Sequence, residues 1–259
     1  MAHMMGHSKR LAEAKGVETL AKGLELFRLI ADDEGRSRIS VLARDLLLPR
    51  TTLHRLLGEL MRHGMIMRIG HGRYAVGVML VELDAAPRFN EHLVAISRPH
   101  LQSLADEYYG SAHLGVLENA MVTYLVKAGD IGRGADFIRE GGQLEAYCSG
   151  VGKVLLASRT PKYIDAYLAD GPFVPFTERT IITTEGLSKC LDTVKRQGWA
   201  SDDEEASVGL QCLAVPITRP GRRPVAAISF SRLGILTLGE SDLLTKALKE
   251  CANLIARQL

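Results

Sequence analysis

The 259-residue chain has no apolar run that approaches the roughly 18–20 residues a membrane-spanning helix requires, because Arg, Asp or Gly interrupts each one. An apolar N-terminal stretch with a small-residue cleavage site is also missing, so no export signal is read and the expected compartment is the cytoplasm. Residues 1–16 are set aside as a disordered tail, its first residues an expression remnant. The four cysteines, Cys148, Cys190, Cys212 and Cys251, form no C-x-x-C pair, which fits reduced thiols better than a disulfide framework or a zinc knuckle. Also absent are the G-x-S-x-G elbow, the H-E-x-x-H helix and the P-loop. An enzyme would have to use Cys212 with His113, or Ser229 and Ser231 with Asp202, and neither set has motif support. The chain is therefore expected not to be an enzyme, and no cofactor or metal is assigned to it.

What is present is a globular composition, 46% hydrophobic and 24% charged, long enough for more than one small domain. The net charge of +2 hides an asymmetry. Residues 1–80 carry 13 Lys and Arg against 8 Asp and Glu, whereas residues 81–259 carry 19 against 22. From Arg38 to Arg73 there are seven arginines and no lysine, opposed by Asp45 and Glu59. Guanidinium forks suit phosphates and guanine edges, so the basic end points to nucleic acid.

Periodicity gives that end a shape. Leu20, Leu24, Phe27, Ile30 and Ala31 recur at helical spacing before the turn Asp32-Asp33-Glu34-Gly35. Ser40 stands as the N-cap of a short second helix carrying Val41, Leu42 and Leu46. After Pro49, the residues Leu53, Leu56, Leu57, Leu60 and Met61 share one face of a third helix closed by Gly64. Residues 65–69 and 73–76 flank Gly70-His71-Gly72 as a hairpin, and the whole reads as a winged helix-turn-helix. In that geometry Arg50, Thr51, Thr52, His54 and Arg55 face the major groove, Arg68 and Arg73 on the wing meet backbone or minor groove, and Ser40 joins the contact set.

Further along, residues 78–97 read as a linker helix bent by Pro87, and a helix carrying Leu101, Leu104 and Tyr108 begins at Pro99. Strands are expected at 111–117, 121–126, 135–139, 213–218 and 225–231, and helices from about Val151, at 162–168, 185–197 and 240–258. Strands and helices segregate, so the fold class is α+β with a mostly antiparallel sheet flanked by helices.

Leu42-Ala43-Arg44 through Leu48-Pro49-Arg50-Thr51-Thr52-Leu53-His54-Arg55-Leu56-Leu57, and the wing ending in Tyr74-Ala75-Val76-Gly77, resemble the DNA-binding domain of IclR-type bacterial transcriptional regulators. One departure is Leu47, where such turns commonly have glycine, which implies tighter packing or backbone strain. The resemblance extends through Cys148-Ser149-Gly150-Val151-Gly152-Lys153, the acidic run from Asp202 to Glu205 leading to Cys212, and the strand ending Ser229-Phe230-Ser231. It implies a winged helix-turn-helix at 17–77, the linker at 78–97, and a GAF-like effector-binding and oligomerisation domain at 98–259. Its implied partners are double-stranded operator DNA, a small organic-acid effector and further copies in a homodimer or homotetramer, with no membrane. It also implies effector contacts at Gly150, Val151, Asp202, Cys212, Ser229 and Ser231, and the two-site reading expects the response to pass through the linker helix.

The residues themselves agree with an acid. Gly150, Val151 and Gly152 open a helix whose backbone N–H groups attract an anion, and Ser229 and Ser231, two apart on a strand, face one side with the Cys212 thiol. Asp202 repels a carboxylate unless one of the two is protonated or Asp202 accepts a hydroxyl instead, so an acid that also carries a hydroxyl, or a related neutral metabolite such as a lactone or aldehyde, stays open. Leu117, Tyr124, Ile138, Leu144 and Tyr147 are candidate apolar walls, with Glu145 and Tyr147 at the pocket mouth. The alternative reading is a thiol-based redox or metal sensor using Cys148 and Cys212, with Cys148 activated by the helix terminus beside it.

Overall fold

A computed structural model describes residues 2–44, 46–80, 88–132 and 138–259, with only the backbone described at 2–16 and 88. It divides into two compact units, Met1–Pro87 and Arg88–Leu259. Among the described residues no helix is long and apolar enough to cross a membrane.

The first unit holds α1 (Ala2–Asp33), α2 (Ile39–Leu42), α3 (Arg50–Arg62) and the antiparallel hairpin β1 (Ile66–Gly70) and β2 (Arg73–Val76). Helix α1 thus takes in most of the segment that the sequence reading set aside as a tail. Its core side is Leu26 and Ile30, fully buried against Leu56, Leu57, Leu60, Ile66 and Tyr74. Leu20 and Leu24, expected in that core, are 63% and 52% exposed, and with Leu56, Leu60 and Met65 they line an apolar groove of about 370 Å³. The helix has two apolar stripes, and an i, i+4 pattern does not say which one faces inward. Met61, expected on the core face of α3, is exposed as well.

The N-cap of α2 is Arg38, not Ser40, which lies exposed inside the helix. Pro49 caps α3, and a Schellman motif closes it: Gly64 N–H donates to the Met61 carbonyl and Met65 N–H to the Leu60 carbonyl. Gly64 has φ +67°, the left-handed conformation that this closure needs. The wing is held to α2 by the Ile39 N–H, which donates to the Gly72 carbonyl at 2.7 Å.

The second unit is built on a six-stranded antiparallel sheet in the order β5-β4-β3-β8-β7-β6. Its strands are β3 (Ser111–Glu118), β4 (Met121–Gly129), β5 (Gln143–Glu145), β6 (Ala200–Asp203), β7 (Leu210–Ile217) and β8 (Ala226–Leu233). One face packs on α4 (Arg88–Tyr108) and α8 (Leu238–Ala256) through Leu93, Leu101, Leu244, Leu248 and Ile255 against Leu114, Val215, Ile228 and Phe230. The other face carries α5 (Gly150–Ala157), α6 (Pro161–Ala169) and α7 (Thr184–Gln197) over Ala200, Ala214, Ala227 and Tyr124.

Several expectations change here. Pro99 does not start a helix but lies inside α4, where burial of Leu93, Leu101 and Leu104 on both sides of it outweighs the lost backbone bond. Residues 88–97, assigned to the linker by sequence, belong to the helix that packs on this sheet. Residues 81–87, with the expected bend at Pro87, lie outside the described residues, as do positions 135–137 of the expected strand at 135–139. Ile138 and Arg139 are not in a strand, and the edge strand β5 follows Gly141-Gly142. Four of the helices begin earlier than expected because hydroxyl caps set their starts: Ser149, Thr160 and Thr183, and Thr237 in a capping box with Glu240.

The turn between α2 and α3 contains the departure noted above. Leu47 has φ +48° and is 88% exposed, so a β-carbon sits in left-handed backbone with no burial in return. Leu47→Gly is expected to stabilise the first unit by about 1 kcal/mol, read as a higher denaturation midpoint at unchanged slope.

Candidate functional site

On α3, Arg50, Thr51, His54 and Arg55 are exposed and Thr52 is half-buried, opposite the buried Leu56, Leu57 and Leu60. Arg50, Arg55 and Arg73 make no hydrogen bond or ion pair among the described residues, whereas Arg62 pairs with Glu59 at 2.5 Å. Arg68 Nε donates to the Gly70 carbonyl at 3.1 Å, which holds that arginine on the exposed side of the wing. The result is a helix of groove-entering dimensions with a polar, cationic face and an arginine-bearing hairpin beside it.

In the second unit the strand register brings the predicted set together. Asp202 on β6 lies opposite Cys212 on β7, Cys212 opposite Ser231 on β8, and Ser231 opposite Ser111 on β3. The next row on the same face is Ala200, Ala214, Ser229 and His113. Helix α5 crosses these rows so closely that a β-carbon added to Gly150 would lie 3.3 Å from Cys212 Sγ and 3.1 Å from Ala214 Cβ. Val151 is fully buried beside it. Asp202, Cys212, Ser229 and Ser231 are all at most 7% exposed. Tyr124, Ile138, Leu144, Leu117 and Tyr147 pack in the same core, where Tyr147 Oη donates to the Val174 carbonyl and stacks on Phe173.

Not all the helix N–H groups remain for a ligand. The Gly152 N–H donates to the Ser149 cap at 3.1 Å, which leaves those of Gly150 and Val151 without an intrahelical partner. Gly152 has a steric role instead, since a β-carbon there would lie 2.2 Å from the Ala146 carbonyl oxygen.

The electrostatics come from burial. Asp202 Oδ1 accepts from Glu205 N–H at 2.7 Å and Ala206 N–H at 3.4 Å, yet loss of water pushes its carboxyl up to about 7. Burial lowers His113 to about 3, so it is a neutral ring between Ser111 Oγ at 3.0 Å and Ser229 Oγ at 3.4 Å. It makes no hydrogen bond with Cys212, the pairing that an enzyme would have needed. Ser231 Oγ is buried with no hydrogen-bond partner, as is Glu205 Oε2.

Two features were not read from sequence. Lys153, on α5, is 1% exposed and forms an ion pair with Glu205. Glu205 is anchored in turn, because the Thr180 hydroxyl donates to its carbonyl at 2.7 Å and the Thr177 hydroxyl to the neighbouring Glu204 carbonyl at 2.6 Å. A lysine inside the otherwise apolar stretch from Val151 to Ala157 was the available signal, with the acidic run as its counterpart.

The thiol alternative is corrected here. Cys148 lies before the cap, fully buried, and burial pushes its thiol up to about 12, as it does that of Cys212. Neither is an activated thiolate. Among the described residues, no group of three or more His, Cys, Asp or Glu side chains is placed to hold a metal ion.

A winged helix-turn-helix with a free arginine face, joined to a separate α+β unit whose buried polar row sits under a helix terminus, is the build of a ligand-responsive DNA-binding regulator. The chain belongs to the IclR family of bacterial transcriptional regulators: the family model for the IclR helix-turn-helix domain matches residues 19–69, and that for the bacterial transcriptional regulator IclR C-terminal domain matches 89–257. It is 30% identical over 220 residues to the transcriptional repressor IclR of Escherichia coli K12, covering 83% of this chain and 80% of the relative. It is 28% identical to the glycerol operon regulatory protein of Streptomyces coelicolor, covering 95% and 98%. Among solved structures, a transcriptional regulator from Rhodococcus sp. RHA1 superposes with a TM-score of 0.62 at 27% identity, over 93% of this chain and 98% of that one. The IclR of Thermotoga maritima does so with a TM-score of 0.62 at 25% identity, over 94% and 99%. The chain is accordingly a DNA-binding transcriptional regulator and not an enzyme.

Lys153→Met alone leaves Glu205 as an unpaired buried charge and is expected to destabilise the second unit by about 3–5 kcal/mol, while Lys153→Met with Glu205→Leu recovers most of that loss. Denaturant unfolding of both variants checks the order.

Proposed function

We propose that the protein binds operator DNA through Arg50, Thr51, Thr52, His54 and Arg55 in the major groove, with Arg68 and Arg73 of the wing and Ser40 near the backbone. A small organic acid is its effector, held at Gly150, Val151, Asp202, Cys212, Ser229 and Ser231. The observation that carries the effector reading is the polar row that crosses four strands from Asp202 to Ser111 beneath the N-terminus of α5, with the buried Ser231 hydroxyl lacking a partner. The N–H groups of Gly150 and Val151 supply the anion-attracting end. On the DNA side the reading rests on the exposed arginines of α3 and the wing.

The working form is a homodimer or homotetramer. In a helix-turn-helix dimer, two recognition helices read half-sites about one helical turn apart. The exposed apolar stripe of Leu20 and Leu24 on α1 gives the first unit a surface suited to such pairing. Effector binding changes the population of the DNA-competent form in proportion to its differential affinity for the two forms.

Fluorescence anisotropy on a duplex from the gene's own upstream region, against a scrambled duplex, tests the reading. Preferential binding that weakens with salt and moves with one acid is the expected result. Arg55→Ala is expected to weaken operator binding by about 1–3 kcal/mol and to leave acid binding intact. Ser229→Ala combined with Ser231→Ala is expected to keep operator binding and lose the response to acid, and a normal response in that variant would refute the pocket.

A further inference from the structure

A cavity of about 320 Å³ opens at the end of the sheet where β3 turns into β4. The polar rows cross β3 at Ser111 and His113, whereas this cavity lies beyond Glu118, roughly 20 Å further along the strand at the usual rise per residue. One wall is aromatic: Tyr147 stacks on Phe173 with 4.6 Å between ring centroids, and Phe173 stacks on Tyr167 at 5.6 Å. Ala120 and Met121, at the start of β4, extend the apolar lining. Hydrogen bonds hold the wall in place. Tyr147 Oη donates to the Val174 carbonyl at 2.8 Å, Tyr147 N–H to Tyr167 Oη at 3.1 Å, and Phe173 N–H to the Ile182 carbonyl at 2.9 Å. The surface is therefore formed before a ligand arrives, which keeps the ordering cost of binding small.

The charged groups of the lining are all acidic. Glu145, the last residue of β5, and Asp170, the C-cap of α6, both border the cavity, and neither carboxylate has a hydrogen-bond or ion-pair partner among the described residues. No Lys, Arg or His is among the described residues that line it. The charge of Glu145 reaches the aromatic wall: burial raises the Tyr167 phenol most, and Glu145 is the next cause. Asp170 stands where a carboxylate is disfavoured, at the negative end of a helix dipole, and the last turn of α6 holds no basic residue to offset it. Two carboxylates and a helix C-terminus thus converge on an apolar-walled cavity to which the chain supplies no counter-charge.

We propose that this cavity binds a small primary amine with an aromatic or compact apolar body, as a second ligand that does not depend on the acid site. The ammonium group donates to the Glu145 and Asp170 carboxylates, and the apolar body lies against the Tyr147, Phe173 and Tyr167 wall. A primary ammonium brings three N–H donors to two carboxylates, whereas a quaternary ammonium brings none, so the site discriminates between them. A cation bound there also offsets the unfavourable placement of Asp170 at the end of α6, an interaction the ligand-free chain leaves uncompensated.

Titration calorimetry on the full chain, with phenethylamine as the probe, tests this. The amine is expected to bind once per chain, more weakly as salt is added, and at least about tenfold more tightly than 2-phenylethanol or the trimethylated amine. Glu145→Gln and Asp170→Asn are expected to lower its affinity about fivefold each and about twenty-five-fold together. Asp165→Asn, exposed on the same helix, is expected to bind as the wild type does. Asp170→Asn is also expected to raise the denaturation midpoint of the ligand-free chain, which separates lost binding from lost folding. No binding of phenethylamine at millimolar concentration overturns the proposal, as does equal affinity for the amine and the alcohol, or full affinity in the double variant. Nα-acetyl-lysine amide is expected not to displace the amine, and displacement would give the site to a lysine of a partner protein and overturn the small-ligand assignment.

Discussion

Among the described residues of the second unit, one ion pair is buried, and the site is arranged around it. Lys153 belongs to α5, which crosses the polar rows of the sheet, and Glu205 to the loop that leaves the edge strand β6. A buried pair contributes little net stability compared with an apolar replacement, but it tolerates no partial solution, because either partner alone is a desolvated charge. The pair therefore fixes α5 relative to the 204–209 loop. Gly150 is thereby held against Cys212, and the Asp202 carboxyl stays under the Glu205 and Ala206 amides. Gly152 allows the same closeness on the other side of the helix, where Ala146 leaves no space for a side chain.

The first unit solves a different problem with a separate core. Leu26, Ile30, Leu56, Leu57, Leu60 and Ile66 close it without charged members, and the arginines remain outside. Here the constraint lies in the backbone: the Schellman closure at Gly64 aims the chain into the wing, and the bond from Ile39 to Gly72 ties the wing back to α2. Leu47 is the place where this geometry is strained, in the turn that sets α3 relative to α2. Its exposed side chain cannot offset that strain by burial.

Much of this was legible in sequence because helix-turn-helix units and antiparallel strands declare themselves locally. The apolar spacing in α3, the two-glycine wing and the two-residue spacing of Ser229 and Ser231 are short-range signals, and with the exception of Met61 the structure places these residues on the expected sides. What escaped was non-local or competitive. The inward stripe of α1 depends on what packs against it, so Leu26 was passed over for Leu20 and Leu24. Strand β6 hides inside an acidic run, since its pairing with β7 is a tertiary fact. Cys148 was misjudged because a helix terminus lowers a thiol pKa only when desolvation is smaller than the dipole, and at a fully buried thiol it is not.

The burial that tunes these groups also limits what the site can do. Asp202, Cys212, Ser229 and Ser231 all lie beneath α5 and the loop that Glu205 anchors. A ligand reaching them has to displace part of that cover, and the free energy of opening is subtracted from its affinity. Once inside, it meets unpartnered Ser231 and Glu205 oxygens whose desolvation the fold has already borne. In the effector site proposed above, a suitable acid completes these unsatisfied polar atoms and an unsuitable one leaves them as they were. Discrimination of that kind rests on hydrogen-bond completion more than on contact area, and it gives the bound and free forms the free-energy difference that any regulation of DNA binding requires.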